Sequence, residues 1–252
     1  MLMSVAEIAR DAGVYPELSG SRVLITGLGP TCGVDITRAF AEHNCRLVLQ
    51  IPDPCPETDA LLQIIAETAL DVRVHHDPID QAESATRFAQ AASQTYGGLD
   101  CVVNLIQISR FDLNSAVTLE DIETLFKDRM QAAARATRVA ANRMGLTWSN
   151  GSILNVLRLP TATKPSEAAL AGIARAALAA MTRTEAANWA EQGVRVNAIA
   201  PRASLSTGLL QDDDCLRSEP EIAAAALYLA SQRGEKISGH VLDSEGIAAA
   251  ER

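Results

Sequence analysis

The feature that most constrains this chain is a short apolar strand that breaks at glycines and runs into an amphipathic helix, over residues 21–40 (SRVLITGLGPTCGVDITRAF). Residues 23–25 form the continuous apolar run that is typical of a buried parallel strand. Gly27 and Gly29 permit a sharp turn, and Thr31 is placed to cap the helix that follows. Backbone N–H groups at such a helix start suit a phosphate or pyrophosphate. A tight turn without any ligand is the alternative interpretation.

Composition fits one large α/β domain. The chain has 252 residues, of which 48% are hydrophobic and 21% charged, and its mean hydropathy is +0.06. These values are typical of a folded globular protein and leave room for a substantial core. We therefore predict a single domain over residues 21–252, preceded by an extension over residues 1–20.

Charge and cysteine content limit the partners and the compartment. A net charge of −9 and a pI near 5.0 argue against a nucleic-acid or anionic membrane surface. No apolar run reaches the length of a membrane span. The five cysteines are odd in number and form no C-x-x-C pair, which predicts reduced thiols in a cytoplasmic protein.

Strand and helix patterns alternate along the rest of the chain. Further strands are predicted at residues 46–49, 72–76, 99–104, 153–157, 193–201 and 237–246. Helices are predicted from about residue 57, and at 81–96, 119–144, 165–190 and 219–231. This alternation predicts a doubly wound parallel sheet of about seven strands with helices on both faces.

Several segments resemble the short-chain dehydrogenase/reductase family. Its first turn reads T-G-x-x-x-G-x-G, and Thr26-Gly27 followed by Gly33 is similar to it, with Thr31 in place of the middle glycine. The stretches GVRVNAIAP at 193–201 and ISGHVLDSEG at 237–246 resemble the sixth strand and the final strand with its turn. The resemblance covers roughly residues 20–248.

The resemblance implies NAD or NADP as cofactor, with weakened binding, and no metal. Its ligand positions fall on Gly27, Thr31, Cys32, Gly33, Asp77 and Asn104. In the family an acidic residue after the second strand holds the adenosine ribose, but Ile51 stands there and Asp53 lies beyond a proline. Asp77 belongs to a D-P-I-D segment similar to the family's D-V-x-D, although it can also simply end a strand. Asn104 is followed by bulky Leu105 where the family has small residues.

The family's four catalytic residues are not retained. The resemblance places its asparagine, serine, tyrosine and lysine on Arg129, Arg158, Ala171 and Arg175, respectively. Alanine has no proton to exchange with a substrate. The tyrosines Tyr15, Tyr96 and Tyr228 cannot substitute by a shifted register, because none of them precedes a lysine by four residues.

The replacing arginines suggest an anion-binding pocket. Arg129, Arg158, Arg175 and Arg202 are predicted to converge on the old active site, where guanidinium groups would suit a carboxylate or phosphate. The alternative is that each arginine pairs with an acid such as Asp128 or Glu167, or faces solvent. Residues 202–218 are also too few for the family's usual substrate lid.

The sequence therefore predicts a family member without standard carbonyl or alcohol catalysis, acting as a nucleotide- or anion-binding, regulatory or assembly protein. One alternative is an NAD(P)-dependent oxidoreductase with substituted catalytic groups, and another is a purely structural subunit. The two long predicted helices, which carry Arg129 and Arg175, are expected to form a homodimer or homotetramer.

Overall fold

Strands and helices alternate from Arg22 to Asp243 in a computed structural model that describes residues 15–77, 79, 82–147, 149–202 and 219–244. The strands are β1 (Arg22–Thr26), β2 (Arg46–Gln50), β3 (Asp71–His75), β4 (Cys101–Gln107), β5 (Ser152–Arg158), β6 (Arg195–Ala200) and β7 (Val241–Asp243). The helices are α1 (Val34–Glu42), α2 (Pro56–Thr68), α3 (Ala82–Thr95), α4 (Arg110–Ser115), α5 (Leu119–Leu146), α6 (Pro165–Trp189) and α7 (Glu219–Ala230).

The seven strands form one parallel sheet in the order β3-β2-β1-β4-β5-β6-β7. The predicted doubly wound sheet is confirmed. Because the chain leaves β3 at one edge and returns beside β1 as β4, the strand order reverses between β1 and β4. Their carboxyl ends define the crevice where ligands bind in open α/β sheets.

Helices cover both faces of the sheet, which explains the continuous apolar pattern of the central strands. In β1, Val23 and Ile25 pack into the core beneath α1, α2 and α7. Leu24 points to the opposite face, into the core beneath α3, α5 and α6. Since both faces of the strand are buried, alternation with polar residues is absent.

The long helix α5 begins with a capping box and packs through small residues. The Thr118 hydroxyl accepts a hydrogen bond from the Asp121 N–H at 3.2 Å, and the Asp121 carboxylate accepts one from the Thr118 N–H at 2.8 Å. These bonds satisfy two backbone donors at the helix start. Ala133, Ala136 and Ala140 lie on the buried face, where their small side chains let the helix lie close to its neighbours.

The prediction that Thr31 caps the first helix is wrong. Thr31 is exposed, and the N-cap of α1 is Gly33, with φ 85°. The reason is local: the Gly29 and Cys32 backbones hydrogen-bond to each other, with N–H to carbonyl distances of 3.0 and 3.4 Å. This bridge closes the turn over residues 29–32, so the helix begins only after it.

The other differences concern the boundaries of elements. β4 extends to Gln107 and β5 to Arg158, and the short helix α4 was not predicted. The final strand has only three residues. Residues 1–14, 203–218 and 245–252 lie outside the described part, and so do most of the extension over 1–20, most of the 202–218 segment, Asp80 and Cys215. No helix in the described ranges is both long enough and apolar enough to cross a membrane.

Candidate functional site

A cleft of about 700 Å³ opens at the carboxyl ends of β1 and β4, where the strand order reverses. Its lining includes the glycine turn, the ends of β2 and β4, and one side of the first half of α5. Five carboxylates and one guanidinium line it: Asp53, Asp112, Glu120, Asp121, Asp128 and Arg129. The cleft is therefore acidic, which disfavours the phosphates of a dinucleotide.

Two glutamines occupy the polar backbone groups of Gly27. Gln50, the last residue of β2, accepts a hydrogen bond from the Gly27 N–H at 2.7 Å and donates one to the Asp77 carbonyl at 3.1 Å. Gln107, the last residue of β4, donates to the Gly27 carbonyl at 3.1 Å. The glycine turn is thus bonded to side chains of the two neighbouring strands, although the sequence predicted it as a ligand-binding turn.

The start of α1 is occupied by a carboxylate of the chain itself. The Asp35 N–H donates to Glu219 Oε1 at 3.1 Å, and Arg158 Nη2 lies 3.6 Å from Glu219 Oε2. Glu219 is 1% exposed and Arg158 7%. Burial raises the pKa of the Glu219 carboxyl above its usual value, because it outweighs the charge of Arg158 and the N–H groups of Asp35 and Gly33, which lower that pKa.

Leu105 covers the last glycine of the turn. A Cβ atom on Gly33 would collide with Leu105 Cδ1 and lie 3.2 Å from Leu28 Cδ1. The Leu105 side chain is 7% exposed, so it is packed against the turn and does not project into solvent. The space above Gly33 is therefore filled by hydrocarbon.

Asn104, predicted as a cofactor ligand, lies inside a buried polar network. Its Oδ1 accepts from the Thr26 hydroxyl at 3.1 Å, and its Nδ2 donates to Thr137 Oγ1 at 3.1 Å and to Asn155 Oδ1 at 2.9 Å. These side chains are at most 2% exposed. The network connects β1, β4, β5 and α5 and stabilises their arrangement below the cleft.

The remaining predicted cofactor residues differ in their exposure, and most of them do not line the cleft. Cys32 is buried, Thr31 is exposed, and Asp77 lies exposed just beyond β3. Of the six predicted cofactor residues, only Gly27 lines the cleft. The backbone of Asp77 still contributes indirectly, because its carbonyl fixes the Gln50 amide described above.

Each of the four predicted anion-binding arginines is paired with a carboxylate of the chain. Arg129 donates to both carboxylate oxygens of Asp112, at 3.0 and 3.1 Å. Arg175 and Arg202 share Asp243. With Arg158 on Glu219, the four guanidinium groups are distributed over three carboxylates. These pairs favour the alternative that each arginine pairs with an acid, with Asp112, Glu219 and Asp243 in place of the expected Asp128 or Glu167. A shared anion-binding pocket stays a prediction.

Arg175 also binds the backbone at the end of β6. Its Nη1 donates to the Ala200 carbonyl at 2.7 Å and to the Pro201 carbonyl at 2.9 Å. Its Nη2 donates to Asp243 in β7. The guanidinium therefore fastens α6 to the carboxyl ends of β6 and β7, where the family resemblance would place a lysine beside the cofactor.

No tyrosine lies at the carboxyl edge of the sheet; all three are described, and all lie at the opposite edge. Tyr15 precedes β1, with its ring 5.8 Å from that of His43 and 5.2 Å from the Arg233 guanidinium. Tyr96 follows α3, and its hydroxyl lies 3.5 Å from the carbonyl of Leu47, near the start of β2. Tyr228 is in the last turn of α7.

The tyrosine position of the resemblance is Ala171, which is 5% exposed and belongs to the core between α6 and the sheet. Burial raises the pKa of Tyr96 to about 12, so that phenol stays protonated at neutral pH.

Among the described residues no His, Cys, Asp and Glu side chains cluster in a way that could hold a metal ion. Cys32, Cys45, Cys55 and Cys101 are free thiols.

The sequence reasoning missed Gln50, Gln107 and Glu219. Glu219 opens the predicted helix 219–231 and Gln50 directly follows the predicted strand 46–49, whereas Gln107 lies three residues beyond the predicted strand 99–104. A buried amide at a strand end and an acid at a helix start were the available signals. Their partners could not be inferred, since Glu219 and Asp35 are 184 positions apart.

A pyrophosphate does not fit the turn in this conformation. The Gly27 and Asp35 N–H groups that would receive it are bonded to Gln50 and Glu219, and Leu105 fills the space above Gly33. The glycine turn and the helix start required for dinucleotide binding are present, but the chain's own side chains occupy them.

A family model and a relative of similar length both match most of this chain. The family model described as enoyl-(acyl carrier protein) reductase matches residues 31–246. The galactitol 2-dehydrogenase (L-tagatose-forming) of Cereibacter sphaeroides is 30% identical over 255 residues, which cover 91% of this chain and 95% of that protein.

Solved structures share the fold. A putative short-chain alcohol dehydrogenase from Sinorhizobium meliloti has a TM-score of 0.74 and 25% identity, covering 92% of this chain and 97% of that one. An NADH-dependent reductase solved with NAD has a TM-score of 0.72 and 16% identity, covering 91% and 96%. At 16% identity the second likeness concerns the fold alone.

Proposed function

This chain belongs to the short-chain dehydrogenase/reductase family, and from that premise we propose that it has lost the family's tyrosine-dependent carbonyl and alcohol chemistry. In its place the protein acts as a nucleotide- or anion-binding, regulatory or assembly protein. It retains a dinucleotide-type cleft, and its affinity for NAD or NADP is weakened.

The position of the tyrosines is the observation that carries this proposal. Hydride transfer to a carbonyl leaves charge on oxygen, which a positioned acid must neutralise. The cleft opens at the carboxyl edge of the sheet, whereas Tyr15, Tyr96 and Tyr228 lie at the amino edge. Ala171, at the family's tyrosine position, is buried in the core between α6 and the sheet.

The charged residues near the cleft do not replace the missing acid. Arginine stays protonated throughout the working pH range of a protein. Arg129 and Arg175 are bonded to Asp112 and Asp243. Burial raises the pKa of Asp112, but its hydrogen bonds to Ser109 and Arg129 outweigh burial, and the net pKa lies below its usual value. Asp112 is therefore ionised at neutral pH and has no proton to donate.

Some features of the chain favour dinucleotide binding and others oppose it. Together they support weak binding. The family, the strand order and the cleft at the reversal point all favour NAD(P) binding. The acidic lining and the occupied glycine turn oppose it. Asp53 in the lining would also repel a 2′-phosphate, so we expect NADH to bind less weakly than NADPH.

The test is an assay of NADH and NADPH oxidation with a panel of ketones, aldehydes and enoyl thioesters, together with calorimetric titration of both dinucleotides. We expect no substrate-dependent oxidation and dissociation constants in the high micromolar range or weaker. The galactitol 2-dehydrogenase relative serves as the positive control. Turnover of any carbonyl substrate by the purified chain above the enzyme-free rate would contradict the proposal.

A second candidate is an NAD(P)-dependent oxidoreductase that uses other groups for proton transfer. The observation in its favour is that the cleft lies where the family binds its cofactor and that the relatives carry names of dehydrogenases and reductases. Its proton donor would have to be one of the cleft carboxylates. The same assay, repeated from pH 5 to 9, separates the two candidates.

A further inference from the structure

We infer that Glu219 is a built-in anionic ligand of the α1 helix start and competes there with the pyrophosphate of a dinucleotide. The inference rests on the proposed dinucleotide site and explains its weakened affinity. It assigns Glu219 a role in controlling access to the cofactor site, with Arg158 holding the carboxylate in place.

Glu219 lies at the position where a pyrophosphate would bind. The N–H groups at the beginning of a helix that follows a glycine turn are the groups that hold a pyrophosphate in doubly wound folds. Here the Asp35 N–H, in the first turn of α1, donates to Glu219 Oε1 at 3.1 Å. One carboxylate thus takes a hydrogen bond that a phosphate oxygen would otherwise accept.

The charge of Glu219 also opposes a second anion at the start of α1. The start of a helix carries a partial positive charge that stabilises one nearby anion. Glu219 is already such an anion, and Arg158, at 3.6 Å, supplies its counter-charge from the end of β5. A pyrophosphate approaching α1 would meet a negative carboxylate and a neutralised guanidinium.

Burial strengthens the electrostatic effect of the Glu219–Arg158 pair. Glu219 and Arg158 are almost completely shielded from solvent, so their mutual attraction and their repulsion of other anions are screened only weakly. Glu219 Oε2 accepts no hydrogen bond from the described residues, although it faces Arg158. A buried carboxylate oxygen without a hydrogen-bond donor costs free energy, so this carboxylate is not stabilised there as fully as its burial would require.

The experiment compares NADH binding to the wild-type chain and to Glu219→Ala by calorimetry. Removing the carboxylate leaves the Asp35 N–H available for a pyrophosphate and takes away the negative charge beside Arg158. We expect the dissociation constant for NADH to fall by about tenfold or more, the order of effect of one anion at a partly buried helix start. ADP-ribose should gain similarly, because it contains the same pyrophosphate.

Two controls separate competition from general loosening. Glu221→Ala removes an exposed acid from the same helix turn and should leave NADH affinity unchanged. Adenosine has no phosphate, so its binding should not differ between wild-type and Glu219→Ala protein. An equal gain for adenosine, or the same gain in Glu221→Ala, would overturn the inference.

Glu219→Gln keeps the test decisive if the alanine variant does not fold. Glutamine preserves the size of the side chain and can still accept the Asp35 N–H, but it carries no charge. We expect it to bind NADH more tightly than wild type and less tightly than Glu219→Ala. If every folded variant binds NADH no better than wild type, Glu219 is not a competitor. Affinity is measured without turnover, so this result is independent of whether the protein proves to be an enzyme.

Discussion

Arg175 has a structural role at a position where the family resemblance places a catalytic residue. The family resemblance places a lysine at this position, beside the cofactor ribose. In the structure the guanidinium binds two backbone carbonyls and a carboxylate, and so connects α6 to the ends of β6 and β7. These contacts need several donors spread over a planar group, which arginine has and lysine lacks.

Arg175→Lys should therefore destabilise the protein, although it restores the family's residue. A single ammonium cannot reach the Ala200 carbonyl, the Pro201 carbonyl and Asp243 with the same geometry. We expect the free energy of unfolding, measured by urea denaturation, to fall by about 1–2 kcal/mol. Arg183→Lys, at an exposed position of the same helix, should change it by less than about 0.5 kcal/mol. Equal effects would mean that the three contacts are energetically unimportant.

The distant ion-pair partners of single residues explain why the site was harder to predict than the fold. The sequence indicated that Arg158 and Arg175 replace catalytic groups, but it could not show that Glu219 and Asp243 would pair with them. Such partners are separated by 61 and 68 positions, and only the folded sheet brings them together. Local patterns contain no information about contacts of that range.

At the scale of elements, the junction between β1 and α1 depends on the end of β4. Gly33 caps α1 with a positive φ, and Leu105 of β4 packs directly on it. Sequence patterns predicted the strand, the turn and the helix because each has a local signature in periodicity and glycine spacing. The cap was misplaced because the bridge between Gly29 and Cys32 is a backbone contact that no side chain signals.

Gly33→Ala should cost more stability than Gly20→Ala, although both glycines have positive φ, 85° and 79°. A Cβ on Gly20 would meet nothing within 4 Å, so that variant reports backbone strain alone, about 1 kcal/mol. On Gly33 the Cβ would also collide with Leu105, which adds about 1–3 kcal/mol. Urea denaturation of the two variants measures the difference.

The double variant Gly33→Ala with Leu105→Ala identifies the source of that extra cost. If the collision with Leu105 is responsible, the loss of unfolding free energy caused by Gly33→Ala should be smaller in the Leu105→Ala background than in wild type. We expect the difference to be at least about 1 kcal/mol. An unchanged cost in both backgrounds would show that Leu105 moves aside freely and that the turn is not blocked by it.

The whole molecule was the most predictable level. Alternating strand and helix patterns permit few arrangements, since parallel strands need right-handed crossovers and a doubly wound sheet must bury both faces. The seven-stranded parallel sheet follows from these constraints and was predicted correctly. Where the finished surface meets another copy is less constrained, because an exposed helix face is compatible with either solvent or a partner.

We expect the chain to form a homodimer or homotetramer through α5 and α6. The outer face of α6 presents Ala169, Ile173, Ala176 and Ala180, spaced so that they form one exposed apolar stripe. Small side chains on such a stripe allow two helices to pack closely across a two-fold axis. Light scattering should therefore give at least twice the chain mass of 26.8 kDa at micromolar concentration.

Ile173→Glu should break this assembly, because the carboxylate would be buried opposite its own symmetry mate. Ile64→Glu is the matched control: Ile64 is similarly exposed, 57% against 47%, but it lies on α2, on the other face of the sheet. Only the first variant should shift the mass to that of a monomer while the far-ultraviolet circular dichroism of both stays native. A monomeric wild type would contradict the predicted assembly. Dissociation by Ile64→Glu, and not by Ile173→Glu, would show that the interface lies on the opposite face of the sheet.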